Sequence, residues 1–307
     1  MELRARFKTR LCVRLSVPAL EKYSISALYS IPIWLECIPI CLHKVQTLPT
    51  ILDEIVANKQ IEIQSAKKRV PQSDLESQCK NVAGRPDFFK ALTSSNEVSL
   101  IAEVKKASPS KGLIRKEFNP VEIAAAYESS GASCISVLTD EKYFQGHLDF
   151  LHDISKQARI PLLRKEFVVD PYQVYEAKVA GASGVLLIAE CLEETMLKEL
   201  HDLIEELGMT PLVEFHEKEN LEVCLRIGAR LIGVNNRNLK TFETDLGHVI
   251  SLRQQIPEDR AVVAESGIFT HDDVLRIRDA NIQAMLVGES LMRQQEIGQA
   301  VRDLLGN

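Results

Sequence analysis

The stretch that decides the fold is "PLLRKEFVVDPYQVYEAKVAGASGVLLIAE", residues 161–190, which has the pattern of a strand, a helix and a second strand. "PLLRKEF" and "GVLLIAE" are short apolar runs that end in polar residues. The helix between them begins with Asp170 as cap and Pro171 at its first position, and it stops at Gly181. Strands that alternate with helices pair in parallel, because each crossover must return across the sheet.

The same unit recurs on both sides of this stretch. Asn119 and Pro120 predict the start of another helix, and Thr270 with Asp273 forms a variant of the capping box. Eight units match a (β/α)8 TIM barrel, an α/β fold, with an additional N-terminal helix at residues 50–70 before strand 1. A doubly wound open sheet is the competing fold, but its usual G-x-G-x-x-G after the first strand is absent. The predicted strands are "SLIAEVK", "CISVLTD", "PLLRKEF", "GVLLIAE", "PLVEFH", "LIGVNNR", "AVVAESG" and "AMLVGES".

Polar side chains are concentrated at the carboxyl ends of these strands, which form the active-site face of such barrels. In "LIAEVKKASPSKGLI", residues 100–114, Glu103 and Lys105 share one face of a strand and Val104 takes the other. A single charged strand end can face water or close the barrel mouth with an ion pair. Burying several charges is costly unless they are paired, so the set predicts an active site. Its members are Glu103, Lys105, Asp140, Lys165, Glu166, Glu214, Asn235, Arg237, Glu265 and Ser266.

Lys165 is the candidate acid of this predicted site. Glu103 and Glu214 are expected beside it, and neighbouring carboxylates keep a lysine protonated. A protonated lysine can donate its proton to a reacting oxygen.

The loops after strands seven and eight predict a phosphate site. They read "ESGI" and "VGESLM", with Ser266 and Gly267 in the first and Gly288 and Glu289 in the second. Glycine lets the backbone approach an anion, and exposed N–H groups bind phosphate without a charged side chain. Only the backbone of Glu289 is expected to contribute, because its carboxylate would repel the phosphate.

From about residue 47 to residue 307 the sequence resembles the indole-3-glycerol phosphate synthase family. The resemblance rests on "IAEVKKASPSKG", "RKEFVVDPYQ", "VEFH", "GVNNRNL", "ESGI" and "VGESLM", which occur in the family's order. It implies a monofunctional carboxy-lyase of tryptophan biosynthesis that needs no cofactor and no metal. The implied substrate is 1-(2-carboxyphenylamino)-1-deoxyribulose 5-phosphate, which closes a ring and loses CO2 and water to give indole-3-glycerol phosphate.

The resemblance also implies roles for individual residues. Lys165 would be the general acid at the keto oxygen, and Glu214 and Glu103 would transfer protons in the dehydration, with Glu214 favoured as the base. Lys105 and Asn235 would position the substrate, and Phe167 and Leu239 would line an apolar slot for the anthranilate ring. Residues 108–112 would form a loop that closes over the substrate, the alternative being a plain solvent turn. The residues implied around the phosphate are Ser108, Arg237, Ser266, Gly267, Gly288 and Glu289.

Two other functions compete with this one. Another phosphosugar barrel, such as phosphoribosylanthranilate isomerase, would need a Cys/Asp acid–base pair, whereas the first strand carries Glu103 and Lys105. A non-catalytic barrel that binds a phosphate metabolite would lack at least one charged strand end, and none is missing.

Composition separates residues 1–45 from the rest. They carry seven Lys and Arg against three Glu, whereas residues 46–307 carry 30 basic and 40 acidic residues. We expect 46–307 to be the catalytic barrel and 1–45 to be a non-native stretch ahead of a start at Val45, a targeting or disordered leader, or a structural element. Seven scattered cysteines predict free thiols, and hence a cytoplasmic protein, without a zinc site. The net charge of −6 argues against a protein that binds nucleic acid. No apolar run is long enough to span a membrane. We expect a monomer.

Overall fold

Eight parallel strands close into a barrel in a computed structural model that describes residues 50–238 and 241–307. Each strand pairs with the next along the chain, and the last pairs with the first, where Ile101 lies opposite Leu286. The predicted barrel is therefore confirmed. The strands are β1 (Ser99–Val104), β2 (Cys134–Leu138), β3 (Leu162–Lys165), β4 (Gly184–Ile188), β5 (Thr210–Phe215), β6 (Leu231–Asn235), β7 (Ala261–Glu265) and β8 (Ala284–Val287).

Helices precede the barrel and follow each strand. Three come before β1: α1 (Ile51–Arg69), α2 (Gln72–Cys79) and α3 (Phe88–Thr93). The helices that follow the strands are α4 (Pro120–Ser129), α5 (Glu141–Phe144), α6 (Leu148–Ser155), α7 (Pro171–Val179), α8 (Glu194–Glu206), α9 (Asn220–Arg226), α10 (Gly247–Arg253), α11 (His271–Asp279), α12 (Glu289–Met292) and α13 (Ile297–Leu305). A 3-10 turn spans Ala189–Cys191, and a small antiparallel hairpin after β1 pairs Ala107–Ser108 with Gly112–Leu113.

The helix ends lie where the capping residues predict them. Asn119 and Asp170 accept backbone N–H bonds at the starts of α4 and α7. Thr270 and Asp273 form the capping box of α11, and Thr50 and Asp53 form another at α1. These side chains satisfy amides that have no partner inside the helix.

Alternation along the strands divides the core into two layers. Val104, Val213 and Val234 pack between the sheet and the helices, whereas Ile101 and Leu212 pack inside the barrel. Residues that alternate with the outer layer therefore face the barrel axis, and at the carboxyl ends these are the polar residues of the site.

The two ends of the barrel are covered differently. Phe88 of α3 lies under Gly184 at the amino end of β4, where an added Cβ would lie 3.0 Å from the ring. Helix α1 lies at the opposite end, where Ile51 and Ile55 line the cavity described below.

Across residues 50–238 and 241–307, no helix has the length and apolar character needed to cross a bilayer. The predicted leader, residues 1–45, lies outside the described residues.

Candidate active site

One cavity opens at the carboxyl ends of the strands and gathers the predicted site residues, except Asp140, which does not line it because its carboxylate caps α5 and pairs with Lys59. It is lined by every residue that the sequence analysis assigned to catalysis, phosphate binding or the apolar slot, except Leu239, which lies outside the described residues. The assigned residues in its lining are Glu103, Lys105, Ser108, Lys165, Phe167, Glu214, Asn235, Arg237, Ser266, Gly267, Gly288 and Glu289.

Lys165 lies at the centre of a group of buried charges. Its Nζ is 2.6 Å from Oε2 of Glu214 and 3.0 Å from Oε2 of Glu265. Burial opposes the charge on this ammonium group, but the attraction of Glu214, Glu265 and Glu103 outweighs it and raises the pKa of Lys165. Lys165 is therefore protonated at neutral pH, as an acid must be.

The two carboxyl groups beside Lys165 differ in protonation. Burial and the negative charge of Glu214 raise the pKa of Glu265 to about 8. Burial also acts on Glu214, but Lys165 and hydrogen bonds from its neighbours hold the pKa of Glu214 below its ordinary value. Within the described residues, Oε1 of Glu265 has no hydrogen-bond partner, which favours a neutral carboxyl over a buried carboxylate. The pair thus supplies one carboxylate and one carboxylic acid.

Sequence reasoning noted Glu265 as a strand end but gave it no role. Its position follows from the same alternation, because Ala264 packs in the outer layer and Glu265 turns inward. What the sequence did not reveal is the distance to Lys165, 100 residues away along the chain.

Glu103 and Lys105 form an ion pair at the end of β1. Nζ of Lys105 lies 2.5 Å from Oε2 of Glu103, and the Glu103 carboxylate is almost fully buried. Gly288 makes room for it, because a Cβ at Gly288 would lie 2.4 Å from Oε2 of Glu103. This contact is a second reason for glycine at position 288, besides the predicted approach of an anion to the backbone.

Asn235 connects the acidic group to the rim of the cavity. Its Nδ2 donates to Oε1 of Glu214 at 2.9 Å, and its Oδ1 accepts the amide of Arg237 at 3.0 Å. The side chain is thereby fixed in one orientation, with its amide group facing the carboxylate.

The loop after β7 has an unusual backbone. Ser266 and Gly267 both have positive φ, 67° and 75°, a region that glycine tolerates and serine rarely adopts. Nδ2 of Asn236 donates to the carbonyl oxygen of Ser266 at 3.0 Å and stabilises this turn. Strained backbone of this kind concentrates at ligand sites.

Glu289 is surrounded by cations at the cavity rim. Its carboxylate lies 3.0 Å from Arg293, 3.7 Å from Arg237 and 4.0 Å from Lys111 of the hairpin turn. The side chain lines the cavity and partly neutralises Arg237, which lines it too, although only the backbone of Glu289 was expected to contribute there.

The opposite wall of the cavity is apolar. The rings of Phe144 and Phe167 lie 6.0 Å apart, and Leu186 and Ile188 of β4 line the same cavity with Ile55 of α1. Strands β3 and β4 are four positions around the barrel from β7 and β8. The apolar wall and the glycine loops therefore face each other across the charged group.

A group that could hold a metal lies outside this cavity. In the part of the chain that the structure describes, His201, Asp202 and Glu205 on α8 are the three residues whose ligand atoms come close enough. They do not line the cavity.

Comparison with known proteins agrees with the motifs. The model of the family "Indole-3-glycerol phosphate synthase" matches residues 52–304. A protein of that name from Rhodopirellula baltica is 50% identical over 258 residues, which are 84% of this chain and 100% of the relative. The chain belongs to the indole-3-glycerol phosphate synthase family. A second protein of that name, from a Polaromonas species, is 46% identical over 83% of this chain and 98% of its own length.

Solved structures with little sequence similarity share the fold. One is 3-hexulose-6-phosphate synthase from Salmonella typhimurium, with TM-score 0.56, 11% identity and coverage of 68% of this chain and 97% of that one. Another is an N-acetylmannosamine-6-phosphate 2-epimerase from Clostridium perfringens, with TM-score 0.55, 14% identity and coverage of 72% and 98%. The family match favours the synthase over the isomerase and the non-catalytic barrel.

Proposed function

We propose that this protein converts 1-(2-carboxyphenylamino)-1-deoxyribulose 5-phosphate into indole-3-glycerol phosphate, with release of CO2 and water. The observation that carries the proposal is the contact of Lys165 with both Glu214 and Glu265, inside a cavity with an apolar wall and a polar loop wall. An acid, a base, a ring slot and an anion site are what this reaction requires.

Lys165 acts first as the general acid. The aryl carbon that bears the carboxylate attacks the keto carbon, and the keto oxygen takes a proton from Nζ of Lys165. The bond to CO2 then breaks, and its electrons restore the aromatic ring. The raised pKa of Lys165 supports this role, because the ammonium group is charged until it meets the developing oxyanion.

The dehydration needs a second acid and a base. The new hydroxyl leaves as water when it is protonated, and a base removes a proton from the neighbouring ring carbon to form the indole double bond. Glu214, whose pKa is lowered, is the base in our proposal. Glu103 delivers to the leaving hydroxyl a proton that it takes from the ammonium group of Lys105, its partner in the ion pair, and Glu265 keeps Lys165 in place.

The two ends of the substrate bind to opposite walls. The anthranilate ring packs against Phe167 and, in our proposal, Leu239. The phosphate binds the backbone amides of the Ser266–Gly267 and Gly288–Glu289 loops, with Ser108 and Arg237 at the rim. Lys105 and Asn235 orient the carboxylate and the sugar hydroxyls between them.

We further propose that the protein acts as a cytoplasmic monomer that needs no metal or redox cofactor. The cysteines among the described residues are free thiols, which suits a reducing compartment. Sedimentation of the purified protein tests the monomer.

Incubation of the purified protein with the carboxyphenylamino substrate, followed by indole fluorescence, tests the activity. We expect Lys165→Ala to lower kcat by about 10² to 10⁴, roughly 3 to 5 kcal/mol of barrier, because the acid is lost. Lys198→Ala is the matched control, since Lys198 is an exposed lysine on α8 that pairs with Asp202. Near-normal turnover by a folded Lys165→Ala variant would contradict the assigned role.

A further inference from the structure

A second buried lysine lies behind the cavity and plays no part in the steps above. Nζ of Lys59, on α1, is 2.9 Å from Oδ2 of Asp140 and 3.0 Å from Oε1 of Glu166. Lys59 is only 4% exposed, Asp140 is fully buried and Glu166 is 4% exposed. Glu62, one turn further along α1, completes the group at 2.7 Å. A buried ammonium group that bridges three chain segments is costly unless it is fully paired, and here it is.

Two of the carboxylates that Lys59 binds, Asp140 and Glu166, each organise one loop of the cavity. Oδ1 of Asp140 accepts the amides of Tyr143 and Phe144 at 2.7 and 3.2 Å, so Asp140 caps the short helix α5. Oε1 of Glu166 accepts the amide of Phe167 at 2.9 Å. Two of these three amides belong to Phe144 and Phe167, whose rings form the aromatic wall of the cavity.

The ammonium group therefore connects three parts of that wall. Phe144 follows β2, Phe167 follows β3, and Ile55 lies on α1 one helical turn before Lys59. All three residues line the cavity, and the two rings touch each other. Lys59 itself is absent from the lining, so it acts only through its partners.

We propose that Lys59 is a positioning residue that holds the ring-binding wall together, through Asp140 for Phe144 and through Glu166 for Phe167. The inference rests on the proposed function, because it assigns the wall to the anthranilate ring. It makes α1, a helix outside the barrel, part of the specificity for an aromatic substrate.

Lys59→Met tests the proposal, because methionine fills similar space without the charge. Lys67→Met is the matched control. Lys67 lies on the same helix and pairs with Asp170 at 2.8 Å, but it is more exposed, and its partner caps α7 instead of holding an aromatic residue of the wall. Two competitive inhibitors separate the two walls. One is the substrate with its ketone reduced to an alcohol, which carries the ring and cannot cyclise, and the other is inorganic phosphate.

We expect Lys59→Met to raise KM and the inhibition constant of the reduced substrate about tenfold, because a wall displaced by a fraction of an ångström holds the ring poorly. The constant for inorganic phosphate should stay at the wild-type value, and Lys67→Met should change neither. An unchanged constant for the reduced substrate would overturn the proposal. So would equal weakening of both inhibitors, since that indicates general loosening of the fold.

Lys59→Met leaves the buried carboxylate of Asp140 without its cation and that of Glu166 with only Arg164, 4.0 Å away, so this variant could unfold. The double variant Lys59→Met/Glu166→Gln removes one of those charges and keeps an oxygen for the amide of Phe167. The same two inhibition constants are then measured, and a double variant that binds the reduced substrate like wild type would overturn the proposal. If the wild-type protein does not form indole-3-glycerol phosphate, the proposed function is overturned instead. That activity is measured on the wild-type protein alone.

Discussion

At the scale of single residues, the site depends on how two glutamates share one lysine. Both carboxyl groups lie within 3.0 Å of Nζ of Lys165, and their pKa values shift in opposite directions. Two carboxylates so close together cannot both ionise without cost, so the one with fewer hydrogen bonds, Glu265, keeps its proton. This difference in pKa leaves Glu214 as a carboxylate, which can act as a base.

The raised pKa of Glu265 predicts how stability depends on pH. Folded Glu265 holds its proton until about pH 8, whereas its ordinary pKa is 4.5. Between those values the folded state binds more protons than the unfolded state, so the free energy of unfolding falls as the pH rises. The lowered pKa of Glu214 acts below pH 4.5 and the raised pKa of Lys165 acts above 10.5, so neither contributes in this window.

Glu265→Gln removes this titration and keeps the shape of the side chain. We expect the variant to gain stability relative to wild type as the pH rises from about 5 to 8, with no further gain above pH 8. Urea unfolding of both proteins at several pH values measures the difference, in which the other titrating groups cancel. Parallel stability curves across this range would show that Glu265 is ionised in the folded protein.

At the scale of elements, the strands could be predicted in more detail than the loops. Alternation in β1, β5 and β6 indicated which face of each strand carries Glu103, Glu214 and Asn235, because side-chain direction is local to a strand. The hairpin after β1 and the cation cluster around Glu289 were not predicted, since they depend on contacts between distant loops. The same limit applies to Lys59, whose partners lie 81 and 107 residues further along the chain.

Gly288, which follows β8, contacts Glu103 of the neighbouring strand β1, and this contact between two elements gives a prediction. A methyl group at position 288 would lie 2.4 Å from Oε2 and 3.1 Å from Cβ of Glu103, so Gly288→Ala should push the Glu103 carboxylate out of place. Because φ at Gly288 is −126°, alanine can adopt this backbone and the fold should survive. We expect kcat/KM to fall tenfold or more, on the order of 1.4 kcal/mol or above, as the ion pair with Lys105 is disturbed.

Gly84→Ala is the control for that substitution. No atom lies within 4 Å of the position that its Cβ would take, and its φ is not in the left-handed region. Steady-state kinetics and a thermal melt of both variants are the measurements. If Gly288→Ala keeps wild-type kinetics, the carboxylate of Glu103 can relocate without cost, and its part in the proton transfers would be contradicted.

At the scale of the whole molecule, the barrel contains everything that the proposed chemistry needs. The cavity is lined by residues between 51 and 290, and the family model matches residues 52–304. The relative from Rhodopirellula baltica aligns over its full length with 84% of this chain. A protein of that name therefore has no counterpart to the rest of this chain.

We accordingly predict that a variant lacking residues 1–45 folds and turns over with unchanged kcat and KM. The deletion removes seven basic and three acidic residues, so the net charge changes from −6 to −10 and later elution from an anion exchanger verifies it. Circular dichroism and indole fluorescence, with the full chain prepared in parallel, measure folding and turnover. The described cavity is lined by residues from 51 onward, so the deletion removes none of them. Loss of turnover in a folded truncated protein would therefore contradict the prediction and would mean that residues 1–45 contribute to activity.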